Sequence, residues 1–150
     1  MPIKKNFSAR QIQDKINARL DARKQALIGR LFAIAEECLN NAKSNHKYLS
    51  RTGNLASSIN YCIVDNGVII AAGQWRATVG TEGNGQKGIQ SGMQYLQEVV
   101  SGLPQNGLTF VMVAGMPYAS YVEAMSLDVL DTSEAMAKAK IKQMIDKLTK

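Results

Sequence analysis

The chain has 150 residues, with 18 Lys and Arg against 12 Asp and Glu, a net charge of +6, and 45% hydrophobic residues. A chain of this length buries roughly 70% of its unfolded surface, so a single domain over residues 1–150 needs no disulfide or metal, and the ordinary apolar content excludes global disorder. No apolar run reaches the ~18 residues of a membrane span, and MPIKKNFSARQ lacks the apolar stretch of a secretory leader, so the chain is expected in a cytoplasm and off the membrane.

Residues 8–42 predict one long helix. Ser8 is the candidate N-cap, with Gln11 three residues on completing a capping box. Ile12, Ile16, Leu20, Leu27, Leu31, Ile34, Cys38 and Leu39 recur at helical spacing. The stripe thickens toward LIGRLFAIAEECL, so that half is expected buried, and residues 1–26 are expected to project or to pack on another chain. Residues 40–52 are polar and turn-forming. In RTGNLASSINY, Thr52 is placed to cap a short turn that presents Leu55 and Ile59. INYCIVDNGVIIAAG predicts a hairpin: Ile59, Tyr61 and Ile63 alternate with polar or small residues, and Asn66-Gly67 tolerates the positive φ of a tight turn. Residues 73–92 hold six glycines and predict a flexible loop. A short helix is expected at 93–100, a strand at LTFVMVA (108–114), a helical MPYASYVEAM with Pro117 in its first turn, and a last helix from Asp131-Thr132-Ser133-Glu134 to the C-terminus. Helices segregate from a small, mostly antiparallel sheet, which is an α+β arrangement.

Few residues are placed for chemistry. TEGNGQKG has glycines and a lysine but not the order of a phosphate-binding loop, since Gly88 follows Lys87. His46 stands alone on a polar linker, and Cys38 and Cys62 lie inside apolar patterns as buried thiols of a reducing compartment, so no zinc set forms. Glu123 and Asp128 show neither the separation nor the cleft of a glycosidase pair. No catalytic residue, cofactor or metal is expected. Lys15, Arg19 and Arg23 form an i, i+4 basic row that Arg30 continues; it is either a solvated face or a surface for phosphates or an acidic neighbour. Trp75 either fills the core or anchors an interface. Charge is uneven: residues 1–50 carry ten Lys/Arg and four Asp/Glu, residues 51–131 three and six, and residues 132–150 five and two. Basic ends and an acidic middle suit contact between unlike surfaces.

Two segments carry a resemblance. RTGNLASSI (51–59) resembles a "TGNL-x-x-SI" signature, and MPYASYVEAM (116–125) resembles "YA-x-Y-VE-x-G". Both signatures belong to the minor tail, or tail-completion, proteins of the phage head–tail junction related to gene product ten of HK-type siphophages. The similarity in layout runs from about residue 27 onward. It departs where that family often has Gly-Thr, here Met125-Ser126, and where a Pro-Phe-hydrophobic element precedes the last helix, here residues 127–130. The resemblance therefore does not carry the family's loop conformation after Glu123. The resemblance implies a non-enzymatic virion protein, made in the host cytoplasm, that self-associates into a ring, commonly six-fold, between head-connector and tail proteins. Within the motifs, Thr52 is expected to cap, Gly53 to permit a sharp approach, Asn54 to bond the local backbone and Leu55 to enter the core. Ala119 is expected to allow close backbone approach. Tyr118, Tyr121 and Val122 cannot all face one core, so these residues, with Glu123 as an interface or capping charge, are candidate interface positions. A nucleic-acid-binding module using the basic first helix is the competing reading.

Overall fold

The computed structural model describes residues 8–148, so residues 1–7 of the expected projecting segment, MPIKKNF, lie outside the described residues. Eight elements follow in order: α1 (Ala9–Ser44), α2 (Asn54–Ser57), β1 (Ile59–Asp65), β2 (Val68–Ala72), α3 (Gln86–Ser101), β3 (Leu108–Ala114), α4 (Ala119–Ala124) and α5 (Asp131–Leu148). The architecture is α+β, as the sequence predicts.

α1 begins with both halves of the capping box. The Gln11 amide donates to Ser8 Oγ at 3.1 Å, and the Ser8 amide donates to Gln11 Oε1 at 3.2 Å. The helix runs two residues past its expected end, through Ser44. Its buried residues, Leu31, Ala35, Cys38, Leu39 and Ala42, all lie in the second half. Every residue from 9 to 23 is exposed.

The sheet order is β2-β1-β3, with both pairings antiparallel. Asn66 and Gly67 turn the hairpin with φ values of 50° and 84°, the left-handed pair that matches strand twist. A bulge between Ile63 and Val64 leaves Ile70 out of register on β2. β1 is central and buried on both faces, which the alternation of Ile59, Tyr61 and Ile63 does not disclose. On one face, Ile59 and Tyr61 join Ala35 and Leu39 of α1, Met116, Ala119 and Val129, with Phe110 and Met112 of β3 packed against them. On the other, Cys62, Val64, Val111 and Val113 meet Leu96 of α3, with Trp75 and Val99 beside it. Strand residues of opposite parity thus serve two helical layers.

The expected flexible loop at 73–92 needs correction. Residues 86–92 form the first half of α3, not a loop. Gly88 is there because α3 passes directly over α2: a Cβ at Gly88 would stand 2.0 Å from the Asn54 carbonyl oxygen. The preceding segment is stitched to residues 51–57. The Glu82 amide donates to Arg51 O (2.7 Å), the Gly85 amide to Thr52 O (3.1 Å) and the Thr78 amide to Ser57 Oγ (2.7 Å).

α5 packs along α1. The Ser133 hydroxyl donates to Cys38 O at 3.0 Å, Asn41 Nδ2 donates to Ser133 Oγ at 3.1 Å, and Lys140 pairs with Glu37 at 2.6 Å.

Candidate functional site

The structure brings the two motif segments together. Residues of 48–55 and of α4 with its flank line one cavity of about 290 Å³, in which Leu55 and Thr52 face Tyr118 and Val122. Gly53 has φ 74°, and a Cβ on it would stand 1.8 Å from Thr78 O, so only glycine fits this turn. Thr52 is not the cap expected: Gly53 is the N-cap of α2 and no side chain caps it, while Thr52 Oγ1, one residue earlier, accepts the Asn54 amide at 3.3 Å in a local turn. Asn54 differs from expectation. Its Oδ1 accepts the amide of Gly88 at 3.3 Å, so it ties α2 to α3 rather than bonding its own turn. Leu55 is buried in the core.

In the second motif the residues separate by role. Ala119 is buried where α4 meets the sheet, and Val122 packs against the same core. Tyr118 is half-exposed, and Tyr121 is the most open of the set, with 70% of its surface accessible. Glu123 is a cap. Its Oε2 accepts the Val129 amide at 2.7 Å, and its Oε1 accepts the amides of Leu130 (2.6 Å) and Asp131 (2.9 Å). These are donors at the N-terminus of α5 that have no partner within the helix. A carboxylate there also answers the helix dipole. Of the two roles expected for Glu123, the structure displays the capping one.

After Glu123 the chain turns through two left-handed residues before α5. Met125, standing where the resembled family has glycine, has an ordinary φ of −82°. The left-handed steps fall later, on Ser126 (φ 60°) and Asp128 (φ 52°). Asp128 offsets its strain locally: Oδ1 accepts the Thr132 amide at 3.0 Å and Oδ2 the Thr132 hydroxyl.

Trp75 packs within its own chain. The Cβ missing from Gly92 would stand 2.6 Å from Cζ3 of the indole ring, so glycine there lets the ring close on the backbone of α3. Tyr61 donates its hydroxyl to Glu36 at 2.5 Å, and burial with that bond holds its phenol above the usual range. Tyr48, stacked on His46 at 4.0 Å, is raised in the same direction by burial, then by the nearby Tyr118, Asp128 and Glu123. The thiols of Cys38 and Cys62 are free, buried and pushed up by desolvation. Among the described residues no group of three or more His, Cys, Asp or Glu gathers to hold a metal ion.

Two surfaces remain outside the motif junction. The first half of α1 carries Lys15, Arg19 and Arg23 beside Ile12 (50% exposed), Ile16 (48%) and Leu20 (58%). Arg30 is exposed farther along, at the edge of a cavity shared with α5. The second surface is a groove between α3 and α4, over the free edge of β3. Two adjoining cavities of about 400 and 330 Å³ share Tyr95, Ala114, Ala119 and Ser120 there. Sequence reasoning missed this groove, because no local pattern marks which strand becomes an edge.

These features define an α+β domain whose distinctive residues serve turns, caps and exposed faces. No protein-family model matches the chain, and neither does any curated protein or solved structure. The resemblance to head–tail junction proteins thus rests on the two motifs and their order. No helix among the described residues is long and apolar enough to cross a membrane.

Proposed function

We propose that this chain is a structural protein of a phage or prophage virion, placed at the head–tail junction or tail terminus. It acts by closing into a head-to-tail ring, six-fold as in the resembled family, that contacts head-connector and tail proteins. It is made in the host cytoplasm and finishes in the virion. The observation that carries this reading is the projecting half of α1. Fifteen residues of helix touch little of their own domain, yet they present three large aliphatic side chains in line. An apolar stripe on a rigid arm marks a protein contact surface. Tyr118 and Tyr121 add a second exposed face at the motif junction, and unlike faces are what a heterologous ring requires. Light scattering and native mass measurement on concentrated protein, alone and with its neck neighbours, test it. The expected result is a discrete closed oligomer. A monomer under every one of these conditions refutes it.

The competing reading, a nucleic-acid-binding arm, rests on the exposed row Lys15, Arg19 and Arg23. It requires DNA binding that weakens steeply with salt and falls when Arg19 and Arg23 become alanine. No binding at low ionic strength eliminates it.

A further inference from the structure

We infer that the groove between α3 and α4 receives the projecting half of α1 from a second copy of this chain. The inference rests on the ring reading and names its two surfaces.

Ile12, Ile16 and Leu20 lie on the same side of α1 as the half-buried Leu27 and the buried Leu31 and Cys38. The buried face therefore continues outward past the end of its own sheet, where residues 9–23 are exposed and none of the described residues covers them. A continuous helix cannot bend back on its own domain, so the cover comes from another molecule. Three aliphatics in line suit a hydrophobic groove, whereas nucleic acid offers charge and base edges. The stripe's flank fixes which groove. Lys15 and Arg19 stand along one side of it and Arg23 at its inner end, so the receiving surface must be free of cations and bear carboxylates.

The cavities differ in that respect. The one beneath the second half of α1 holds Lys43 and Arg76, the motif cavity holds Arg51, and the one between α1 and α5 holds Arg30, Lys140 and Lys147. The α3–α4 groove holds no Lys or Arg. Its floor is apolar, from Met112, Ala114, Met116 and Ala119, its walls include Tyr95 and Val99, and Glu98 and Glu123 stand on its rim. Near that end Glu123 foremost, then desolvation, Glu134 and Asp128 push the Asp131 carboxyl above its usual range.

Because donor and acceptor are different surfaces, the contact has a signature that a symmetric dimer lacks. Ile16→Asp spoils the arm, and Ser120→Arg spoils the groove. Both positions are exposed, so unchanged melting curves verify that each variant folds. Each variant alone is expected to be monomeric where the wild type is oligomeric. An equal mixture is expected to stop at a dimer, one good arm in one good groove, with both remaining faces blocked. If the variants oligomerise like wild type, the docking is overturned while the ring reading stands. Singly monomeric variants whose mixture stays monomeric also overturn it. A wild-type chain that never associates removes the ring reading and this one together. If Ile16→Asp leaves the oligomer intact and abolishes only salt-sensitive DNA binding, the arm serves nucleic acid and the docking is wrong.

Discussion

Replacing Glu123 with alanine tests whether this carboxylate is a fold element. Its two oxygens accept three backbone amides at 2.6–2.9 Å, and two of those amides, on Val129 and Leu130, are part-buried. Hydrogen bonds to a charged group contribute about 1.5–3 kcal/mol each, but the effects of one cap do not add fully. The exposed Asp131 amide regains a water. The two part-buried donors do not, and α5 loses an anion at its positive end. A loss of about 2–4 kcal/mol follows, a large effect for one residue on a half-exposed helix. For a chain of this length it lowers the melting temperature by about 5–15 °C. Glu123→Gln retains an acceptor and the side-chain length, so it is expected to lose roughly half as much. Urea denaturation of the two variants beside wild type, at a concentration where all are monomeric, measures both numbers. If Glu123→Ala unfolds within about 0.5 kcal/mol of wild type, the capping argument is wrong. A residue that acts only across an interface would leave monomer stability unchanged and alter association alone.

Two glycines with similar backbones should respond very differently to alanine. Gly53 (φ 74°) would press a Cβ to 1.8 Å from Thr78 O, whereas Gly107 (φ 82°) has nothing within 4 Å. Gly107→Ala should cost about 1 kcal/mol of strain and Gly53→Ala at least about 3 kcal/mol, read from the same denaturation curves. Tyr61 has a folded-state value raised above the ordinary phenol value near 10, so its contribution is complete below about pH 10 and is lost as pH rises through the folded value. Urea midpoints should therefore fall above about pH 10, and Tyr61→Phe should flatten that slope in part, leaving the share due to Tyr48. An unchanged slope in the variant would show that Tyr61 carries no share of it.

Local signals were legible wherever one interaction decided the structure. Ser8 and Gln11 specify the start of α1 through their own side chains, Asn66-Gly67 specifies the hairpin through φ, and LTFVMVA is a strand by composition. What stayed hidden depends on neighbours distant in sequence. The glycines at 88 and 92 read as loop punctuation because their purpose is to let α2 and Trp75 approach α3. The full burial of β1 follows from its central place in the sheet, which its alternating pattern cannot announce. Glu123 reads as a lone acid because its amide partners come six to eight residues later, beyond a turn built from Ser126 and Asp128. The candidate assembly surfaces were half legible. The arm appears in the periodicity of α1, and the groove exists only once β3 has become an edge.

β2 has a bearing on how the isolated protein behaves. It is an edge strand whose Val68, Ile69 and Ile70 are all open to solvent, with no charge or proline from Val68 to Ala72. Natural edges of this kind are usually guarded, and the bulge at Ile70 is the guard visible here. Concentrated free subunits thus hold a template for strand-to-strand pairing that the bulge alone interrupts, a route to amorphous or fibrillar precipitate. Lysine at Ile69 would act as a gatekeeper, extending the solution lifetime of the free subunit while leaving the core of the sheet intact.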